Sequence, residues 1–340
     1  MHAPDGFLNA GTAATTGVLS VGAVGASLRQ MRTTLGDEQV PLAGLTAAFV
    51  FAAQMFNFPV AAGTTGHLLG GALAAVLLGP ATGAVVVTVV VVVQALAFAD
   101  GGLTALGYNV LNMAVITAYG GYGMFVLLRK VLPANATGVV VATGLAAGLS
   151  VPLSAMAFAI EWLFGATAPV PFDTVFVAMV GVHLLIGIGE GLISAMAVGA
   201  VLASRPDLVY GARDLSRAQT ADRPRIGLRA FVVGAALVAL VTATVVSQFA
   251  APDPDGLERV AADQGFIESA QDHALAAAPF ADYATQGMGN ETLSLAIAGA
   301  AGVAITLLVG LGIVFAVRDR RRGRSGDSPT PRAVGTGRRG

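Results

Sequence analysis

The chain contains no cysteine, which removes disulfides and thiolate metal sites from consideration. Any soft-metal chemistry must therefore run on nitrogen, oxygen or methionine sulfur. Charge is scarce as well: Asp, Glu, Lys and Arg make up 11% of the residues against 55% hydrophobic ones, and mean hydropathy is +0.74. That balance excludes an ordinary soluble domain, and no nucleic-acid partner is expected of it. A GxxxxGK[ST] phosphate loop is missing, so the chain has no nucleotide site of its own, and without an HExxH pair an intramembrane metalloenzyme is disfavoured. The expected class is a non-enzyme. No basic n-region precedes the first apolar run, so no cleavable signal is expected.

What is present is apolar sequence in long runs. They fall at about 10–28, 40–55, 68–78, 81–99, 103–128, 138–164, 174–203, 230–249 and 292–317. The fold expected is an all-α polytopic transmembrane helix bundle of about nine segments, seven plus two. The third is too short to cross alone and reads as a half-helix paired with the non-helical stretch before it. Sidedness follows from the basic residues. An external amino terminus puts Arg29, Arg32, Arg129, Lys130, Arg205, Arg213, Arg217, Arg223, Arg225 and Arg229 in cytoplasmic loops. Of the basic residues only Arg259 then lies outside, while Asp5, Asp100, Glu161, Asp173, Asp253, Asp255, Glu258, Asp263 and Glu268 lie on the outer face. Nine crossings of the lipid bilayer fit this pattern. The polar, basic stretch 205–229 reads as a cytoplasmic linker between two modules, 1–204 and 230–317. Residues 318–340 read as a disordered basic cytoplasmic tail.

The opening "MHAPDGFLNAG" carries chemistry. Pro4, Asp5 and Gly6 specify a tight turn that holds the terminus still. A free α-amino nitrogen, the amide nitrogen of His2 and the His2 Nδ1 can close a five- and a six-membered chelate ring around one metal. Three nitrogens in a plane suit Ni(II), Cu(II) or Co(II) and disfavour tetrahedral Zn(II). A bulky second residue blocks removal of the initiator methionine, so Met1 is expected to keep the amine. That amine, with a pKa of about 8, must lose a proton to bind. A fourth nitrogen is needed, and among His67, His183 and His273 the first is placed best. "FNFPVAAGTTGHLLGG" breaks an apolar region, as a re-entrant segment lining a cavity does. A histidine at its end serves either as a ligand or as a hydrogen-bonded residue at a loop-to-helix junction. Residue type alone does not separate the two.

"MHAPDGFLNAG" resembles the amino-terminal signature of the CbiM/NikM family. These are the cobalt- and nickel-specific substrate-binding membrane components of energy-coupling factor ABC transporters. "GTTGHLLGG", "GYNVLNMAVI" and "HLLIGIGEGLI" resemble later motifs of that family, so the likeness covers most of 1–204. It implies a planar nitrogen site formed by the amine of Met1, the backbone and ring nitrogens of His2, and His67. Ala3 stands where many members carry Ile, a change expected to alter packing and not ligation. "PDPDGLERVAADQGF" resembles the PDGLE domain, a CbiN/NikN-like accessory module with one helix on each side of an external loop. The resemblance implies uptake of Co(II) or Ni(II) as transported substrate, with no permanently bound cofactor. It also implies a scaffold membrane protein and two ATPase subunits as partners, in the cytoplasmic membrane of a bacterium or archaeon. The acidic loop would enrich cations near the outer mouth.

Ionisable groups inside a bilayer are costly and mark functional candidates. Glu190 lies seven residues after His183, on one helical face. Either the pair helps to hold the His67 ring, or His183 makes a polar packing contact with Glu190 or Asn109. Asn57, nearest to the His67 loop, is the remaining candidate for holding a ligand, with Gln54, Gln94, Asn109 and Asn112 of similar kind. His273 and Met288, in the external loop, are expected to be solvated. A rival reading is an ion-coupled secondary permease in which Glu190 and His183 carry protons or ions near the midplane.

Overall fold

A computed structural model describes residues 1–36, 39–61, 63–215 and 226–325. Arg217, Arg223 and Arg225 of the expected linker, and residues 326–340 of the expected tail, lie outside the described residues.

Each of the nine apolar runs forms helix. In chain order these are α1 (Ala10–Thr34), α2 (Val40–Gln54), α3 (Gly71–Leu78), α4 (Pro80–Ala97), α5 (Leu106–Arg129), α6 (Ala136–Gly165), α7 (Phe172–Ser204) and α8 (Leu228–Thr244). A short surface helix, α9 (Gly256–Gln264), precedes α10 (Glu291–Ser325). Among the described residues seven helices are long and apolar enough to cross a membrane, where nine crossings were expected. The two that fall short are α2, with 15 residues, and α3, with eight. α3 is the half-helix that its length implied: Phe58–Ala61 (β1) and Thr64–Gly66 (β2) form a small antiparallel hairpin before it. α10 runs on through 318–325, past the point where a disordered tail was expected to begin.

Small residues decide how closely the helices pack. α6 and α7 meet backbone to backbone: a Cβ at Gly148 would lie 2.8 Å from the Gly187 carbonyl oxygen, and one at Gly191 2.6 Å from that of Gly144. Gly79 turns the chain from α3 to α4 with φ +90°, and Pro80 opens α4 where an amide would have no helical partner. The second module does not stand apart. α8 and α10 both pack on α2 and on each other, Gly302 of α10 lying under the Phe51 ring of α2 and Gly44 of α2 against Leu311 of α10.

One end of the bundle gathers the amino terminus, the β1–β2 hairpin, the α4–α5 loop and the loop between α8 and α10. Asp5, Asp100, Asp253, Asp255 and Glu258 all lie there. At the opposite end Arg129 pairs with Asp214, Arg205 with Asp207, and Arg213 stacks on the Tyr210 ring at 4.0 Å.

Candidate metal centre

The first residues are held by the α4–α5 region and not by their own turn. Gly6 adopts φ +93°, as the Pro-Asp-Gly sequence implied. The Asp5 side chain reaches elsewhere: its carboxylate accepts from the amides of Leu103 at 3.1 Å, Thr104 at 2.7 Å and Ala105 at 3.3 Å, and from the Thr104 hydroxyl at 2.6 Å. Asn109 grips the peptide of Ala3 at both ends. The Ala3 amide donates to Oδ1 at 3.0 Å, and Nδ2 donates to the Ala3 carbonyl at 2.9 Å. Met1 is buried, with its sulfur accepting from the Ser154 hydroxyl at 3.6 Å. Gly101, at φ +81°, leaves room for the His2 side chain, whose Cβ would stand 3.3 Å from any Cβ there.

These restraints aim the terminal amine at His67. Its nitrogen is in hydrogen-bond contact with His67 Nε2 across 66 residues of sequence. His67 Nδ1 lies 2.9 Å from the Leu68 carbonyl and so carries the proton, leaving the Nε2 lone pair facing the amine. The His2 and His67 rings stack with centroids 5.1 Å apart and 21° between planes. His2 Nε2 lies 3.1 Å from Gln94 Oε1, and Nδ1 lies 3.4 Å from Asp100 Oδ1. Burial pushes the His2 ring down to about 4 against the pull of the Asp100 carboxylate, so the ring is neutral at pH 7. Among the described residues no group of three or more His, Asp or Glu side chains has metal-site geometry. The two nitrogens that meet here are the terminal amine and His67 Nε2.

Of the residues expected to support the ligands, Glu190 is fully buried and accepts from the amides of Leu69 at 2.5 Å and Gly70 at 2.9 Å. It braces the backbone that carries His67, not the ring. Gln54 adds a bond from Nε2 to the Leu69 carbonyl at 3.0 Å. His183 touches neither Glu190 nor Asn109; its Nδ1 donates to the Met179 carbonyl at 2.7 Å, and its Cε1 would lie 3.1 Å from a Cβ on Gly256. Asn57 lines the cavity beside the site, and its carbonyl accepts from the Ala251 amide at 2.8 Å. His273 accepts the Leu275 amide on Nδ1 at 2.9 Å and closes a local turn. Glu161, expected on an outer face, is instead buried in α6 and accepts from Asn112 Nδ2 at 2.7 Å.

Sequence reasoning missed the direct reach of the second module into this site. Asp255 Oδ2 accepts from the Met1 amine at 2.6 Å, while Oδ1 caps α9 by accepting from the Glu258 amide at 2.9 Å. Burial works to raise the Asp255 carboxyl, but the Met1 ammonium and His67 beside it hold it well below the usual carboxylate range. β2 fastens to the same loop: the Thr65 amide donates to the Pro254 carbonyl at 2.9 Å and its hydroxyl to the Asp253 carbonyl at 2.9 Å. The only signal in the sequence was the acidic PDPDGLE stretch itself. Together these elements bound a cavity of about 590 Å³ lined by His2, His67, Asp100, Asp253, Asp255 and Glu258.

Comparison with known proteins matches two regions. Residues 2–208 match the family model of the cobalt uptake substrate-specific transmembrane region (CbiM), and residues 229–319 that of the PDGLE domain. A relative from Archaeoglobus fulgidus is 33% identical over 92% of this chain and 98% of its own length. A fused nickel transport protein, NikMN, of Rhodobacter capsulatus is 32% identical over 94% of this chain and 98% of its own. Among solved structures, a truncated transition metal transporter superposes with a TM-score of 0.53 at 32% identity, over 59% of this chain and 98% of that one.

Proposed function

Because this chain belongs to the cobalt uptake substrate-specific transmembrane (CbiM) family, with a PDGLE domain fused after it, we propose that it takes up Co(II) or Ni(II) as the substrate-specific component of an energy-coupling factor ABC transporter. The ion is held in a plane by the Met1 amine, the His2 amide nitrogen, His2 Nδ1 and His67 Nε2. The observation that carries this reading is the approach of the terminal amine to the His67 Nε2 lone pair. Closing the plane requires loss of the amine and amide protons, so metal binding releases protons to the cavity. Four nitrogen donors in a plane suit both d⁷ and d⁸ ions, and the choice between cobalt and nickel is a matter for competition measurements.

The acidic end of the bundle faces outward in this reading and the arginine-rich end lies in the cytoplasm, as the positive-inside rule requires. ATP is hydrolysed by two partner subunits and coupled through a scaffold membrane protein in the cytoplasmic membrane. An ion-coupled permease would need Glu190 to face the ion path. Its two oxygens instead hold the amides of Leu69 and Gly70, a structural task that favours the binding-component reading.

The test is an added residue before Met1, or a blocked amine. Either moves the nitrogen out of chelate reach and should abolish Co(II) and Ni(II) binding, read by calorimetry on purified protein, while the folded state survives. Normal binding by an amino-terminally extended protein sinks the site.

A further inference from the structure

Two consecutive non-glycine residues in the loop of the second module, Asp282 and Tyr283, sit in the left-handed region at φ 53° and 57°. Backbone of this kind persists only where the surroundings over-determine it. Here the Asp282 amide donates to the Phe98 carbonyl at 2.9 Å, and the Phe98 ring packs on Tyr283 with centroids 5.1 Å apart. The loop is thereby clamped on the end of α4, and the Tyr283 hydroxyl is delivered to the interior. It donates to Asp100 Oδ2 at 2.6 Å and accepts from Gln94 Nε2 at 3.0 Å. Gln94 in turn presents Oε1 to His2 Nε2 at 3.1 Å.

Every donor in this chain has a fixed direction. Asp100 as a carboxylate can only accept, so the Tyr283 proton must point to it. The Tyr283 oxygen is then left as an acceptor, which turns the Gln94 amide nitrogen toward it. Gln94 Oε1 must face His2, and at 3.1 Å it is the hydrogen-bonded acceptor of the ring, whereas Asp100 Oδ1 stands off from Nδ1 at 3.4 Å, so the proton of the neutral imidazole goes to Nε2. The lone pair is left on Nδ1, the nitrogen the chelate uses.

We propose that Tyr283 is a positioning residue for the metal site, which acts through Gln94 to hold His2 in the Nε2–H tautomer. The inference rests on the proposed metal site and gives the fused module a specific task there: it completes the hydrogen-bond chain that prepares one ligand. A ligand histidine whose outer partner is lost typically costs 10–100-fold in metal affinity.

The experiment uses the full chain labelled with ¹⁵N-histidine. In the metal-free protein the ¹⁵N shifts of His2 should report the Nε2–H tautomer, and Tyr283→Phe, which keeps the ring packing, should give a mixture. The variant should also lose about 10–100-fold in Co(II) affinity. Gln94→Met should show a similar loss, and the double variant no more than either single one, because both act through one chain. Wild-type tautomer and affinity in Tyr283→Phe overturn the proposal, as do losses that multiply in the double variant. If wild-type protein binds neither Co(II) nor Ni(II), the proposed function fails instead, and the metal-free tautomer measurement still decides the role of Tyr283.

Discussion

Asn109 and Asp5 show at the scale of single residues how the terminus is fixed in place. Both are short polar side chains spent on backbone groups far along the chain, and together they remove the freedom that a chain end ordinarily has. On the proposed ligand set His67→Ala should lower metal affinity by orders of magnitude, because it removes the donor that meets the held terminal amine. His273→Ala should change affinity little, since its ring closes a local turn. Equal effects in a metal competition assay contradict the ligand assignment. That Met1, His2 and His67 lie together was legible from the opening MHAPDG and from the family resemblance, and the structure brings the three side by side. The role of Asp5 was not: its residue type suggested a local turn, and its partners are about a hundred residues away. Acid should weaken the metal-free fold through His2. The unfolded ring takes up a proton near pH 6.5 and the folded one only near 4, so the unfolded chain binds more protons in between, and stability falls as pH is lowered across that window. The loss approaches about 3 kcal/mol at the lower limit. Asp255, held low, gives stability that is lost only below the ordinary carboxylate range and leaves that window unaffected. Thermal melts at pH 7 and pH 5 should differ, and the difference should be smaller in His2→Gln.

Among the elements, α3 and the stretch before it carry the site. An eight-residue helix leaves half of a membrane thickness to non-helical backbone, whose polar groups need partners inside the protein. Glu190 and Gln54 supply them at Leu69 and Gly70. Glu190→Gln replaces one of two acceptors by a donor that faces an amide. It should cost about 1–3 kcal/mol of stability, the penalty for an unmet buried group. It should also loosen metal binding without making uptake insensitive to ATP. Uptake by the chain alone in liposomes, driven by a proton gradient and lost in Glu190→Gln, would restore the permease reading. α1 and α10 run on past their apolar stretches, to Thr34 and Ser325, through polar residues that apolar length does not count. Most helix ends were legible to within a few residues from apolar length, and the shortness of α3 from the Pro, Gly and Thr-rich run ahead of it. The π-helical turn at Val110–Ile116 in α5, next to Asn109, was not, since no composition rule marks where a helix takes an extra residue.

For the whole molecule the question is what the second module contributes. Deleting the chain from Ala230 onward should leave Met1, His2 and His67 in the protein but strip Asp255 from the amine and Tyr283 from Gln94. Uptake measured with the ATPase and scaffold subunits present should fall. Unchanged uptake makes the module a bystander. That it would be acidic and face the same end was readable from the PDPDGLE stretch. That it would touch the amine was not, because such a contact joins residues 254 apart and depends on how α8 and α10 seat against α2. This seating carries a kinetic consequence. A separate accessory subunit would meet the site at a rate set by its abundance in the membrane. Joined to the same chain and packed on α2, the loop sees the site at a local concentration that dilution does not change. Opening the cavity to admit an ion is then a first-order event within one polypeptide, and its rate should be the same at any expression level.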